Sequence, residues 1–106
     1  MSISDRFRDI MSDVQSCNER LRLSPQSAEY KGLRFVAKAA AELREVGEGV
    51  GEIPRIKLES QLTPVLLKVH ADLDRARLLY EEEGEEDTGA GIWDLEQKIY
   101  RLLNDL

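Results

Sequence analysis

The side chains that could do chemistry are few in this 106-residue chain, and their spacing keeps them apart. There is one histidine, His70, and one cysteine, Cys17. Leu66, Leu67, Lys68 and Val69 precede His70, so the Glu-x-x-His pattern of carboxylate-bridged di-iron bundles is absent. One His and one Cys in different segments do not make a ligand set, so no metal and no cofactor are expected. His70 should be a half-exposed helix residue. Cys17 falls on an apolar stripe and should be a buried small hydrophobe rather than a reactive thiol. A single cysteine also forbids an intramolecular disulfide and fits a reducing, cytoplasmic setting.

Three glycines at alternate positions, Gly47, Gly49 and Gly51, superficially resemble a phosphate cradle. No strand precedes them and no Lys-Ser/Thr follows, so they should only end a helix and form a loop. Asp5, Asp9 and Asp13 recur every four residues and share one helix face. Nothing apolar surrounds them to raise a carboxyl pKa, so they should form a solvated face with Arg6 and Arg8 rather than a general acid/base pair. Asp72 with Arg75, and Asp74 with Arg77, are spaced to neutralise each other on a helix.

The net charge of −6 becomes informative once it is located. Residues 1–80 carry 13 basic and 12 acidic side chains, whereas residues 81–106 carry 2 and 9. The excess centres on Glu81, Glu82, Glu83, Glu85, Glu86 and Asp87. A nucleic-acid binder needs the opposite sign, so direct contact with DNA or RNA is not expected. The acidic run reads as a solvated loop or as an electrostatic lure for a basic protein. Beside it, Trp93, Tyr100 and Leu103 lie off the main apolar stripe, and Trp93 and Tyr100 are seven apart on one helix edge. Such aromatics either pack the rim of a core or anchor a partner.

The elements that must position these groups follow from a 3-4 spacing of apolar residues. The stripe runs Ile3, Phe7, Ile10, Val14, Cys17, Leu21; then Leu33, Val36, Ala40, Leu43, Gly47; then Leu58, Leu62, Val65, Val69, Leu73, Ala76, Tyr80; then Ile92, Leu95, Ile99, Leu102, Leu106. These four segments predict a single all-α domain over 1–106, a compact antiparallel four-helix bundle. The expected helices cover about 4–23, 25–46, 55–83 and 92–106. Ser2 or Ser4 can cap the first, and Ser24-Pro25 can open the second. Gly32 should weaken the second helix by about 1 kcal/mol relative to Ala, and Ala37, Ala39, Ala40 and Ala41 should give it a small core face. Pro64 either kinks the third helix or splits off a short extra helix before it. Gly84 should end the third helix, leaving a mobile loop over 85–91.

The core is expected to contain Phe7, Ile10, Val14, Cys17, Leu33, Val36, Ala40, Leu43, Leu62, Val65, Val69, Leu73, Ile99 and Leu102. No Asp, Glu, Lys, Arg or His occupies the stripe itself. Catalysis in a helical bundle needs such groups pointing inward, so the interior should be dry and purely apolar and the chain is not expected to be an enzyme. No apolar run approaches the ~20 residues of a membrane helix, and residues 1–11 carry Asp5, Arg6, Arg8 and Asp9 where a signal peptide would be apolar. The surface is then left to do the work. The expected function is a non-catalytic protein–protein interaction or assembly module, able to self-associate, with Trp93, Tyr100, Leu103 and the acidic residues as candidate contacts. The alternative is an acidic inhibitor or regulator of a nucleic-acid-binding protein acting through 81–87.

Overall fold

The structure, a computed structural model, describes residues 2–106. It forms four helices: α1 (Ile3–Leu23), α2 (Gly32–Gly47), α3 (Leu58–Glu82) and α4 (Glu86–Asp105). Each helix packs on the next, and α1 closes the ring against α4. Ion pairs fix the directions. Lys38 meets Asp72 and Lys68 meets Glu42 across α2–α3, and Arg6 meets Asp105 and Lys98 meets Asp9 across α1–α4. In each set one residue number rises as the other falls, so neighbouring helices run antiparallel. The fold is the expected all-α four-helix bundle, and among the described residues no helix is long and apolar enough to cross a membrane.

Packing follows the apolar stripe, with local shifts. Phe7, Ile10, Val14, Cys17 and Leu21 bury one face of α1. Ser2 caps that helix by accepting a hydrogen bond from the Asp5 amide, satisfying one of its orphan donors. Ser4 instead donates to the Val50 carbonyl in the loop after α2. In α3, Leu66 is fully buried and Val65 only half-buried, while Leu33 lies at the core edge. Of the four alanines expected on the core face of α2, Ala39 and Ala40 are buried and Ala37 and Ala41 face solvent.

Two boundaries differ from the sequence-based expectation, and the choice left open at Pro64 is decided. First, α2 begins at Gly32 instead of near Pro25. Residues 25–31 are held as a turn by Tyr80, which is fully buried and donates its hydroxyl to the Ser27 carbonyl. Tyr30 stacks edge-on against the same ring at 5.8 Å. Gly32 is therefore a packing position: a Cβ there would sit 2.6 Å from two Tyr80 ring carbons. At Pro64, α3 runs on unbroken. The proline is exposed, so the carbonyl of exposed Ser60, which loses its amide partner, can turn to water. The preceding stretch is only a 3-10 turn, Arg55–Lys57.

Second, α4 begins six residues before Ile92, so most of the expected loop over 85–91 is helical. Gly84 adopts φ +79, and the Glu85 and Gly84 amides donate back to the Tyr80 and Glu81 carbonyls. This Schellman closure reverses the chain in residues 83–85. Glu86 and Asp87 then lie in the first turn of α4, where the helix dipole favours negative charge. Gly89 lies inside α4 and faces the Glu81 side chain so closely that a Cβ would sit 2.9 Å from the Glu81 Cγ.

Candidate functional site

The α3–α4 hairpin gathers most of the unusual side chains. Its register is set by Glu81 against Gly89, Arg77 over Trp93 and His70 beside Glu96. On α3, His70, Asp74, Arg77 and Glu81 recur at steps of four, three and four, which places them along one edge. On α4, Gly89, Trp93 and Glu96 do the same. The two edges face each other along the joint.

Glu96 is 0 % exposed, and neither of its carboxyl oxygens has a hydrogen-bond donor. Its Oε2 lies 3.5 Å from Arg77 Nε and its Oε1 3.7 Å from His70 Nε2. Burial, reinforced by the hydrogen bond and negative charge of Asp74, pushes its pKa up to about 8 despite Arg77. Asp74 moves the other way. Burial works to raise it, but hydrogen bonds from Arg77 and Glu96 outweigh that and hold it below the usual range. The proton of the pair therefore sits on Glu96 at neutral pH. The guanidinium of Arg77 covers the pair, with Nη2 2.8 Å from Asp74 Oδ1, Nη1 2.6 Å from Glu81 Oε2 and its carbon 5.3 Å from the Trp93 ring centre. The expectation of a purely apolar interior is thus corrected: a carboxyl group lies inside it.

A second carboxyl pair bridges α2 and α3. Asp72 is raised by burial and then by Glu42, and one oxygen of each is buried without a donor. Lys38 approaches Asp72 at 3.8 Å and Lys68 approaches Glu42 at 3.0 Å. Asp72 thus pairs with Lys38 across helices, rather than with Arg75 within one. Asp74 and Arg77 do pair as spaced. Asp9 and Asp13 both reach Lys98 on α4, so part of that solvated face also ties α1 to α4. Cys17 is buried, as expected, and burial raises its thiol pKa. Among the described residues no group of three His, Cys, Asp or Glu side chains could hold a metal ion.

Outside the carboxyl pair, a groove of about 500 Å³ opens between α3 and α4, lined by Arg77, Glu81, Glu86, Gly89, Ala90 and Trp93. It unites three of the sequence-derived candidates: Trp93, Glu81 and Glu86. Glu82, Glu83, Glu85 and Asp87 cluster at the turn of the hairpin without lining the groove. Trp93 is 47 % exposed and Tyr100 55 % exposed, so about half of each side chain is open to solvent. Leu103 is half-buried and rests on the core. On α3, Leu67 (56 % exposed) and Leu78 (49 %) stand eleven residues apart, about three full turns, and so share one outward face. The hairpin register carried one turn further places Leu67 opposite the turn that holds Tyr100 and Leu103.

Sequence reasoning did not single out Glu96, His70 or Leu78 as site residues. Glu96 left a trace: it lies four after Ile92 and three before Ile99, on the flank of the α4 stripe. No protein-family model, curated protein or solved structure matches this chain.

Proposed function

We propose that this chain is a non-catalytic docking module whose working surface is the outer face of the α3–α4 hairpin, and that its partner is a basic amphipathic helix of another protein. The observation that carries this reading is the placement of the exposed large hydrophobics. Leu67, Leu78, Trp93 and Tyr100 lie on this hairpin, and only Leu23 and Ile56 are exposed elsewhere among the described residues. Aromatic anchors beside aliphatic ones are what protein interfaces use at their centres. An amphipathic helix laid along a helical hairpin reads such anchors at turn spacing.

Charge selects the partner. The acidic residues at the hairpin turn flank one end of the apolar strip, and Glu81 and Glu86 line the groove beside Trp93. A second copy would bring the same acidic excess. Of its two basic residues beyond position 80, Lys98 is already engaged by Asp9 and Asp13. A basic partner gains on approach what a second copy would lose. Catalysis is less well supported, because Glu96 has no accessible surface and Arg77 covers it.

A labelled helical peptide of leucine and lysine, with its glutamate-for-lysine counterpart, tests the reading by fluorescence anisotropy. The basic peptide should bind in the micromolar range, weaken as salt rises, and bind at least tenfold more weakly to a Leu78→Ser/Trp93→Ala double variant whose helical circular dichroism is unchanged. Equal binding of the acidic peptide, equal binding to the double variant, or a stable homodimer in sedimentation that buries Trp93 would overturn it.

A further inference from the structure

The carboxyl pair beneath Arg77 has a consequence for the docking face above it. Arg77 touches both layers: it donates to Asp74 and Glu81, approaches Glu96, and lies over Trp93. Its position follows from which carboxylates carry charge. With Glu96 neutral, the guanidinium is best placed outside, on Asp74 and Glu81, where the structure puts Nη1 and Nη2. With Glu96 ionised, an unpartnered charge appears in a sealed, poorly solvated pocket behind it, and an uncompensated buried carboxylate is costly. Arg77 Nε donates to Asp74 Oδ1 at 3.1 Å and lies 3.5 Å from Glu96 Oε2, so a small inward rotation transfers that donor from Asp74 to Glu96. The same rotation draws the guanidinium off the Trp93 ring.

The groups facing Glu96 leave Arg77 as the available responder. From α3 they are His70, Asp74, Arg77 and Glu81. From α1, which packs on the other side of α4, Arg6 is engaged by Asp105 and Asp9 and Asp13 by Lys98, so none is directed at Glu96. His70 meets Oε1, whereas Arg77 meets Oε2, and His70 stands about two turns from Arg77 along α3. The Asp72–Glu42 pair has no comparable aromatic roof, and its lysines hold the opposite side of α3.

We propose that Glu96 and Asp74 form a proton-operated latch under the docking face: loss of the shared proton pulls Arg77 inward, frees the Trp93 ring, and changes the surface that a partner meets. The link to partner binding rests on the docking reading above; the latch itself does not.

The chain contains one tryptophan, so its emission reports the roof directly. Emission and near-ultraviolet circular dichroism of Trp93 are followed from pH 5 to pH 10, with far-ultraviolet dichroism checking that helicity holds. The expected result is one sigmoidal transition with its midpoint near 8. It should vanish in Glu96→Gln, collapse in amplitude in Arg77→Met, and persist in His70→Gln and in Glu42→Gln. A flat Trp93 signal in the unaltered chain, a transition that survives Glu96→Gln, or one that disappears with His70→Gln would overturn the latch. The leucine–lysine peptide at pH 6 and pH 9 separates the two readings. Peptide binding without a Trp93 transition leaves docking standing and removes the latch. A Trp93 transition without peptide binding at either pH does the reverse.

Discussion

Replacing Glu96 by glutamine should make the protein more stable, and by an amount that grows with pH. The carboxyl of Glu96 is fully buried, lacks a donor on either oxygen and has its pKa raised from 4.5 to about 8, first by burial and then by Asp74. In the unfolded chain the same group ionises near 4.5. A folded-state pKa above the unfolded one means the folded protein binds the extra proton. The stability tied to that proton is intact below pH 4.5 and is lost progressively up to about pH 8, beyond which the loss is complete. Each pH unit inside that window costs about 1.4 kcal/mol. By pH 7 the loss is roughly 3 kcal/mol, a large share of the marginal stability of a small domain. A glutamine side chain keeps the volume and binds no proton, so the variant escapes the loss. The assay is urea denaturation followed by circular dichroism at pH 4.5, 7 and 8.5, on both proteins. The difference between them isolates Glu96 from Asp72, which is also raised and falls out of the comparison. The advantage of the variant should widen by roughly 3 kcal/mol between the first two conditions and further by the third. A constant difference across pH, or a variant weaker than the parent at pH 8.5, would show that Glu96 is solvated or well paired and would refute the reasoning.

Three glycines make further, opposed predictions. Gly32→Ala should lower the urea midpoint by the equivalent of about 1–3 kcal/mol, because its Cβ meets the Tyr80 ring and Tyr80 is anchored to Ser27; helix propensity alone would raise it. Gly84→Ala places a side chain at φ +79 and should cost about 1–2 kcal/mol in thermal melts, loosening the hairpin turn. Gly91→Ala lies inside α4 with open space around it and should raise stability by up to about 1 kcal/mol, measured the same way.

Much of the fold was legible because one physical signal dominates it. Apolar residues at steps of three and four mark a buried helix face wherever they occur, and the α1 stripe from Phe7 to Leu21 is buried as written. The errors arose where a contact distant in sequence replaced a local rule. Ser24-Pro25 is a sound opening for a helix, but Tyr80, more than fifty residues on, holds the backbone at Ser27 in a turn. Gly84, Gly89 and Gly91 together look like a loop, yet only Gly84 uses a left-handed backbone, and Gly89 fits against Glu81 inside a helix. Pro64, by contrast, left a continuous or a split helix open, and its exposed position lets the helix run through.

The candidate site divides in the same way. Residue identity alone fixed the excess of acid beyond position 80, the pairing of Asp74 with Arg77 three residues apart, and the common edge of Trp93 and Tyr100. Such features depend on composition and on the pitch of one helix, which every residue carries with it. Tertiary packing alone decided that Trp93 stays exposed, that Leu67 and Leu78 share its hairpin, and above all that Glu96 is sealed against Asp74 beneath Arg77. A carboxyl group on the flank of a stripe is solvated or buried according to what the neighbouring helix lays over it. That cover comes from α3, through an antiparallel register that no local stretch of α4 encodes.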